Sequence, residues 1–192
     1  MVNRAASAAN TRSRILRALV DLSTEKLTID MVLSDIATRA GVSVQTILRH
    51  FGSRDGLFDA AVESATADIV EERTAPIGDA GAAVHAIVRH YEVRGDWVIA
   101  MLGQELGDVR IARITELGRQ THRAWVETVF APQLNRDDRQ QVDTDLLVVA
   151  TDVYTWKLLR RDRGLDPTQT ERSMLRLVEA VLSSNETTPL RR

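Results

Sequence analysis

The chain has 192 residues and no cysteine, carries a formal net charge of −2, and is 44% apolar, 27% charged and 4% aromatic. The lack of cysteine excludes disulfide bonds and thiolate-ligated metal or iron–sulfur sites. The length suits one sizeable core, or one core with a small appended module.

The pattern of charged residues predicts a soluble, cytoplasmic protein that does not cross a membrane. Arg12, Arg14 and Arg17 interrupt the first thirty residues, which therefore lack the apolar core of a signal peptide. The longest apolar run, Trp97–Leu102, is far shorter than the ~20 residues that span a bilayer. Taken alone, the net charge of −2 argues against a nucleic-acid partner.

Apolar residues recur at helical spacing between scarce glycines and prolines, which predicts an all-α fold. Ser53 is expected to cap the fourth helix, and Asp166 with Gln169 to form a capping box at the last one. The predicted helices cover about Thr11–Ser23, Val32–Ala40, Val44–Phe51, Arg54–Arg73, Ala80–Arg94, Asp96–Leu106, Asp108–Phe130, Asp137–Arg161 and Pro167–Ser184.

The segment Leu146–Ala150 is apolar on every side of its predicted helix. An amphipathic surface helix needs only one apolar stripe, so this helix is expected to be buried on both sides. A second protein molecule or the centre of the chain's own bundle would satisfy that need, and the pattern favours a dimer.

The most specific pattern covers two short helices joined by Gly41-Val42-Ser43. Ala37 allows the helices to cross closely, and Gly41 suits the positive φ of a sharp turn. Ser43 can cap the second helix through its hydroxyl group. These features predict a helix-turn-helix.

The second of these helices has the exposed face that a recognition helix needs. Arg49 can pair with guanine and Gln45 with adenine, while Val44 or the Thr46 methyl group can contact a thymine methyl in the major groove. A helix-turn-helix that never binds DNA is the alternative.

The stretch from Ile36 to Leu57 resembles the N-terminal domain of TetR-type transcriptional regulators. The shared residues are Ile36, Ala37, Ala40, Gly41, Val42, Ser43, Thr46, His50, Phe51, Ser53, Arg54, Asp55 and Leu57. The resemblance covers about Thr11–Val62 and implies a three-helix DNA-binding domain joined to a C-terminal helical bundle for ligand binding and dimerisation. We expect these domains over residues 1–56 and 57–192.

The resemblance also implies functional roles. The DNA-contacting positions are Ser43, Val44, Gln45, Thr46, Arg49 and His50, with Arg54 on a phosphate. The implied partners are a double-stranded palindromic operator, a small-molecule effector, and a second copy bound through the last two long helices, about 137–161 and 167–184. A repressor that the effector releases is the expected function, with no cofactor and no enzymatic activity.

Three positions depart from the family pattern. Gln45 stands where glycine is common, and Leu48 replaces a frequent tyrosine whose hydroxyl binds phosphate. Val32 and Leu33 occupy the place of the usual capping Thr or Ser, which leaves Asp30 as the nearest cap.

The net charge divides unevenly along the chain. Residues 1–56 carry eight basic and five acidic residues, net +3, and the remainder carries 17 basic and 22 acidic residues, net −5. The basic N-terminal part suits a phosphate backbone, so the net charge of the whole chain is misleading. Arg12 and Arg14 could be backbone anchors or an ordinary solvated helix face.

Aromatic residues cluster beyond residue 78, where a ligand pocket would need apolar walls with a few polar groups. The candidate ligand-binding residues are Trp97, Met101, Glu105, His122, Trp125 and Tyr154. Packing in a core is their alternative role.

No pattern predicts a metal or catalytic site. His85 and His90 are five residues apart, which does not suit a metal pair on a helix. Two other functions remain open: an all-α ligand-binding or enzymatic protein with a relic helix-turn-helix, and a ligand-independent regulator or activator.

Overall fold

The computed structural model describes residues 2–23, 25, 30–134 and 140–183, and these form an all-α fold, as predicted. The helices are α1 (Val2–Ser23), α2 (Leu33–Ala40), α3 (Val44–Phe51), α4 (Arg54–Glu72), α5 (Ala80–Leu102), α6 (Val109–Val129), α7 (Ala131–Leu134), α8 (Gln140–Ala150), α9 (Val153–Lys157) and α10 (Pro167–Ser183), with a π-helical turn over Leu158–Asp162 between the last two.

The chain forms two compact units. Unit 1 comprises Met1–Asp68 and Ala100–Ile114, and unit 2 comprises Ile69–Ile99 and Thr115–Arg192. Helices α4, α5 and α6 each contribute residues to both units.

The core of unit 1 is apolar and joins the first four helices. Ile15, Ile36 and Ile47 are completely buried in it, and Leu57 of α4 completes it. Burial of these side chains holds α2 and α3 on α1, because helices of eight residues are not stable by themselves.

Two predicted helices, Ala80–Arg94 and Asp96–Leu106, are one continuous helix, and that prediction was wrong. Gly95 lies inside α5, where its lack of a side chain admits the ring of Trp156. The glycine therefore serves close packing in unit 2 and does not end the helix.

The predicted helix over Asp137–Arg161 is also wrong, although residues 137–139 lie outside the described residues. Helix α8 ends at Ala150, and Asp152 starts α9 by accepting a hydrogen bond from the Tyr154 amide at 2.8 Å. The cap at Asp152 explains the break, since it satisfies an amide at the start of a new helix.

The predicted caps of two other helices are confirmed. Ser53 Oγ accepts a hydrogen bond from the Gly56 amide at 2.9 Å. Asp166 accepts one from the Gln169 amide at 2.8 Å, and Gln169 returns a contact of 3.3 Å to the Asp166 amide. None of the helices in the described part of the chain combines the length and the hydropathy of a membrane-spanning segment.

Candidate nucleic-acid interface

The turn between α2 and α3 has the geometry that its glycine requires. Gly41 has φ 62°, and its amide donates to the Thr38 carbonyl at 3.2 Å, while the Val42 amide donates to Ala37 at 2.9 Å. These bonds end α2 with a left-handed glycine, the commonest way to satisfy the last carbonyls of a helix.

Arg14 of α1 completes this turn. Its Nη2 donates to the Ala40 carbonyl at 2.6 Å and to the Gly41 carbonyl at 3.1 Å. The guanidinium group therefore binds the negative end of the α2 dipole, a role that differs from both predicted ones, a backbone anchor and a solvated helix face.

Helix α3 begins at a polar cap, whereas α2 does not. Ser43 Oγ accepts a hydrogen bond from the Thr46 amide at 3.1 Å and lies 2.9 Å from the Thr46 hydroxyl, which confirms the predicted cap. The N-cap of α2 is Val32, with no side-chain cap bond, so Asp30 does not fill that role.

Helix α3 buries one face and presents the other. Ile47 is completely buried, whereas Gln45 and Arg49 are exposed and Thr46 and His50 are half-buried. Ser43 is exposed, and Val44 and Leu48 are half-buried. An eight-residue helix with this polar face can enter a major groove while its apolar face holds it on the unit.

Arg54, the predicted phosphate contact, and Arg12, one of the two candidate backbone anchors, also contact aromatic rings of unit 1. Arg54 donates from Nε to the Met31 carbonyl at 3.1 Å, and its guanidinium carbon lies 4.7 Å from the Phe58 ring centroid. Arg12 lies over the Phe51 ring at 5.4 Å. These contacts favour one orientation of each guanidinium group.

The candidate ligand-binding residues fall in different parts of the fold. Met101 and Glu105 belong to unit 1, and Glu105 lies in the turn after α5, not within a helix as the predicted bounds Asp96–Leu106 required. Trp97 is half-buried in unit 2. His122 and Trp125 stack at 5.7 Å between ring centroids, whereas Tyr154 is 55% exposed.

Unit 2 also contains buried polar residues that no sequence pattern predicted. Arg73 is 8% exposed and His90 is 1% exposed. Arg73 Nη2 lies 2.9 Å from His90 Nε2, and His90 Nδ1 lies 2.7 Å from a Glu72 carboxylate oxygen. Arg73 directly follows α4 and belongs to no sequence motif, so only its proximity to His90 identifies it.

The two buried histidines of unit 2 are uncharged at neutral pH. Burial lowers the pKa of His90 to about 4, and the neighbouring charge of Arg73 acts in the same direction. The pKa of His122 is also lowered to about 4, again by burial first and by Arg73 second.

We call Arg73, His90, His122 and Thr151 the unit 2 polar cluster.

His85 and His90 do not form a metal pair. His90 belongs to the cluster, whereas His85 is exposed and lies 3.1 Å from Glu171. Across the described residues, no group of three His, Cys, Asp or Glu side chains is arranged to hold a metal ion.

The segment that contains α2 and α3 matches the model of a known protein family. Residues 29–61 match the family model "Bacterial regulatory proteins, tetR family". This range contains α2, α3 and the start of α4, including every predicted DNA-contacting residue. No curated protein matches the sequence significantly.

Several solved structures share the fold over nearly the whole chain. A transcriptional regulator from Rhodococcus sp. Rha1 has a TM-score of 0.70 at 19% identity, covering 93% of this chain and 99% of that one. A TetR-family regulator from Streptomyces coelicolor has a TM-score of 0.66 at 21% identity, covering 92% and 96%. Another from Streptomyces coelicolor has a TM-score of 0.66 at 16% identity, covering 91% and 83%.

Proposed function

We propose that this chain, which belongs to the TetR family of DNA-binding transcriptional regulators, is a cytoplasmic homodimeric repressor that a small molecule releases from a palindromic operator. The family consists of transcription regulators and not enzymes, which disfavours a relic helix-turn-helix. The exposed polar face of α3, held by an apolar core, is the observation that carries the proposal.

The side chains of α3 suit direct reading of base edges. Arg49 can donate two hydrogen bonds to a guanine, and Gln45 can form a paired donor and acceptor contact with an adenine. Val44 and the Thr46 methyl group would contact thymine methyl groups. Ser43, His50 and Arg54 would position the helix on the phosphate backbone.

A dimer would give two such helices, spaced ~34 Å apart for successive major grooves on one face of the duplex. Helix α8 supports this because it is apolar on two sides. Leu147 and Ala150 are buried in unit 2, whereas Val142, Leu146 and Val149 form a stripe that is 57%, 46% and 62% exposed. Burial of this stripe against a second copy would remove it from water.

The ligand would act by preferring a form of the dimer whose recognition helices no longer match the operator. A ligand shifts such an equilibrium only by its difference in affinity for the two forms. Repression and effector release are therefore separable in an experiment, since binding of DNA does not require the ligand.

The most direct test is a mobility-shift assay on the DNA that flanks the chain's own gene. We expect a retarded band that weakens with salt, because phosphate contacts release counterions. Arg49→Ala should cost about 1–3 kcal/mol on the operator and much less on unrelated DNA. Arg89→Ala, an exposed arginine of α5 in unit 2, is the matched control and should bind normally.

The absence of a retarded band at low salt, from folded dimeric protein, would contradict the proposal. An equal loss on all sequences with Arg49→Ala would make Arg49 a phosphate contact. Reporter expression in a deletion strain separates repression from activation, since only loss of a repressor raises expression.

The dimer interface has its own test by analytical ultracentrifugation. Val149→Glu should convert the dimer to monomer, because it places a charge in the proposed apolar interface. Val93→Glu introduces the same charge at a position that is 76% exposed on α5, outside the proposed interface, and should leave the dimer intact. Equal sedimentation of both variants as dimers would place the interface elsewhere.

A further inference from the structure

We propose that the effector is a small hydroxy acid, whose carboxylate is bound by Arg73 and whose hydroxyl group donates to His122 in unit 2. The inference rests on the proposed release by a ligand and names the chemistry of that ligand. Four features of the unit 2 polar cluster support it.

The first feature is an arginine with an incomplete set of partners. Arg73 is 8% exposed, and within the described part of the chain its Nε has no hydrogen-bond partner. No carboxylate of the described residues lies within ion-pair distance of it; its partner is His90 Nε2, and the Tyr91 ring lies 5.8 Å away. A guanidinium group stays protonated and strongly favours a carboxylate in such a setting.

The second feature is that the nearest carboxylate is already engaged. Glu72 binds Arg94 through both oxygens at 2.7–3.0 Å and accepts a further bond from His90. Because neutral His90 donates from Nδ1 to Glu72, its Nε2 can only accept from Arg73. The carboxylates of Glu72 and Asp152 attract Arg73 only from a distance, so a ligand carboxylate could form the direct ion pair that Arg73 lacks.

The third feature is an unused acceptor on His122, which is 5% exposed. The Thr151 hydroxyl donates to the Leu147 carbonyl at 2.7 Å, so it must accept from His122 Nε2 at 3.2 Å. The proton of neutral His122 is then on Nε2. Its Nδ1 is a buried acceptor without a partner among the residues that the structure covers, and a hydroxyl donor would satisfy it.

The fourth feature is an indole that contacts the backbone of Arg73 and the ring of His122. Trp125 donates from Nε1 to the Arg73 carbonyl at 2.9 Å, and its ring stacks on His122 at 5.7 Å. Phe130 meets the same indole edge-on at 6.2 Å. An acid with a flat ring suits these aromatic neighbours.

The test uses matched probes with the full-length protein. We expect 3-hydroxybenzoate to bind in isothermal titration calorimetry, benzoate to bind more weakly, and 3-hydroxybenzamide to bind least, because only the first combines the anion with the hydroxyl donor. Arg73→Gln should lower the affinity for 3-hydroxybenzoate by about tenfold to a hundredfold.

The His122→Gln variant tests the second contact with little change to the fold. The glutamine amide nitrogen can replace imidazole Nε2 as a donor to Thr151, but its single acceptor, Oε1, is not held by a ring at the position of Nδ1. This variant should bind 3-hydroxybenzoate and benzoate equally. Arg123→Gln, which removes the same charge as Arg73→Gln from an exposed ion pair on α6, should bind like the unaltered chain. If Arg73→Gln fails to fold, Arg73→Lys replaces it in the test. Lysine keeps the positive charge but lacks Nε, so this variant should also bind 3-hydroxybenzoate more weakly.

Several outcomes would overturn the inference: binding of none of the probes, equal binding of acid and amide, or an unchanged affinity in folded Arg73 variants. Binding without dissociation of the operator complex overturns the effector role. The mobility shift without any probe reports separately on the proposed function, since it requires only DNA binding.

Discussion

Unit 1 and unit 2 differ in what they bury. Among the described residues, Ser23 is the buried polar residue of unit 1, whereas Arg73, His90, His122 and Asp143 are buried in unit 2. An apolar core is stable whatever the pH and makes a rigid support for α3. A core with polar groups costs desolvation free energy, and it can recover that cost when a ligand completes its hydrogen bonds.

The largest expected effect is on the core of unit 1. Ile47→Ala removes a completely buried side chain from α3 and should reduce the free energy of unfolding by about 2–5 kcal/mol. Hydrogen exchange of the α2 and α3 amides measures this loss of unfolding free energy. Leu48→Ala, at a half-buried position of the same helix, should cost much less. Equal protection in both variants would show that this core does not hold the recognition helix.

Acid should weaken unit 2 next. The folded pKa values of His90 and His122 are about 4, below the usual 6.5, so the unfolded chain binds more protons between these values. The contribution of the two uncharged histidines to the free energy of unfolding is fully present above about pH 6.5 and is lost as the pH falls towards 4. Protonation of each histidine should lower the free energy of unfolding by about 2 kcal/mol between pH 7 and 5. Burial raises the pKa of Asp152, and the protonation of this carboxyl group acts in the opposite direction.

Urea unfolding followed by tryptophan fluorescence measures this loss, because all three tryptophans lie in unit 2. His122→Gln should remove about half of it. If the free energy of unfolding is unchanged between pH 7 and 5, the buried histidines do not make unit 2 sensitive to pH, and this difference from unit 1 is contradicted.

A smaller effect is expected from packing within unit 2. Gly95→Ala places a methyl group against the Trp156 ring and should cost about 1–3 kcal/mol, with a shift in fluorescence. Gly118→Ala is the matched control in α6, since among the described residues no atom beyond its chain neighbours and its own helix backbone lies within 4 Å of the added methyl group. That change should stabilise the helix by about 0.5–1 kcal/mol, and the opposite order of the two variants would contradict the packing.

The sequence predicted unit 1 better than unit 2 for a physical reason. The bounds of α3 and the turn at Gly41 are determined by neighbouring residues, so a short sequence pattern is enough to predict them. The continuity of α5 depends on Trp156, which lies 61 positions further along the chain. Arg73 and His90 likewise acquire their chemistry only by meeting in the fold, and neither carries a motif.

The smallest effect concerns Arg14 of unit 1. Its bonds to the Ala40 and Gly41 carbonyls predict that Arg14→Ala costs about 1 kcal/mol in unfolding free energy. Arg17→Ala removes the same charge from an exposed position of α1 and should cost little. A phosphate anchor would instead weaken DNA binding without affecting stability. Thermal unfolding and the salt slope of DNA binding, measured on both variants, therefore decide whether Arg14 supports the turn or the operator.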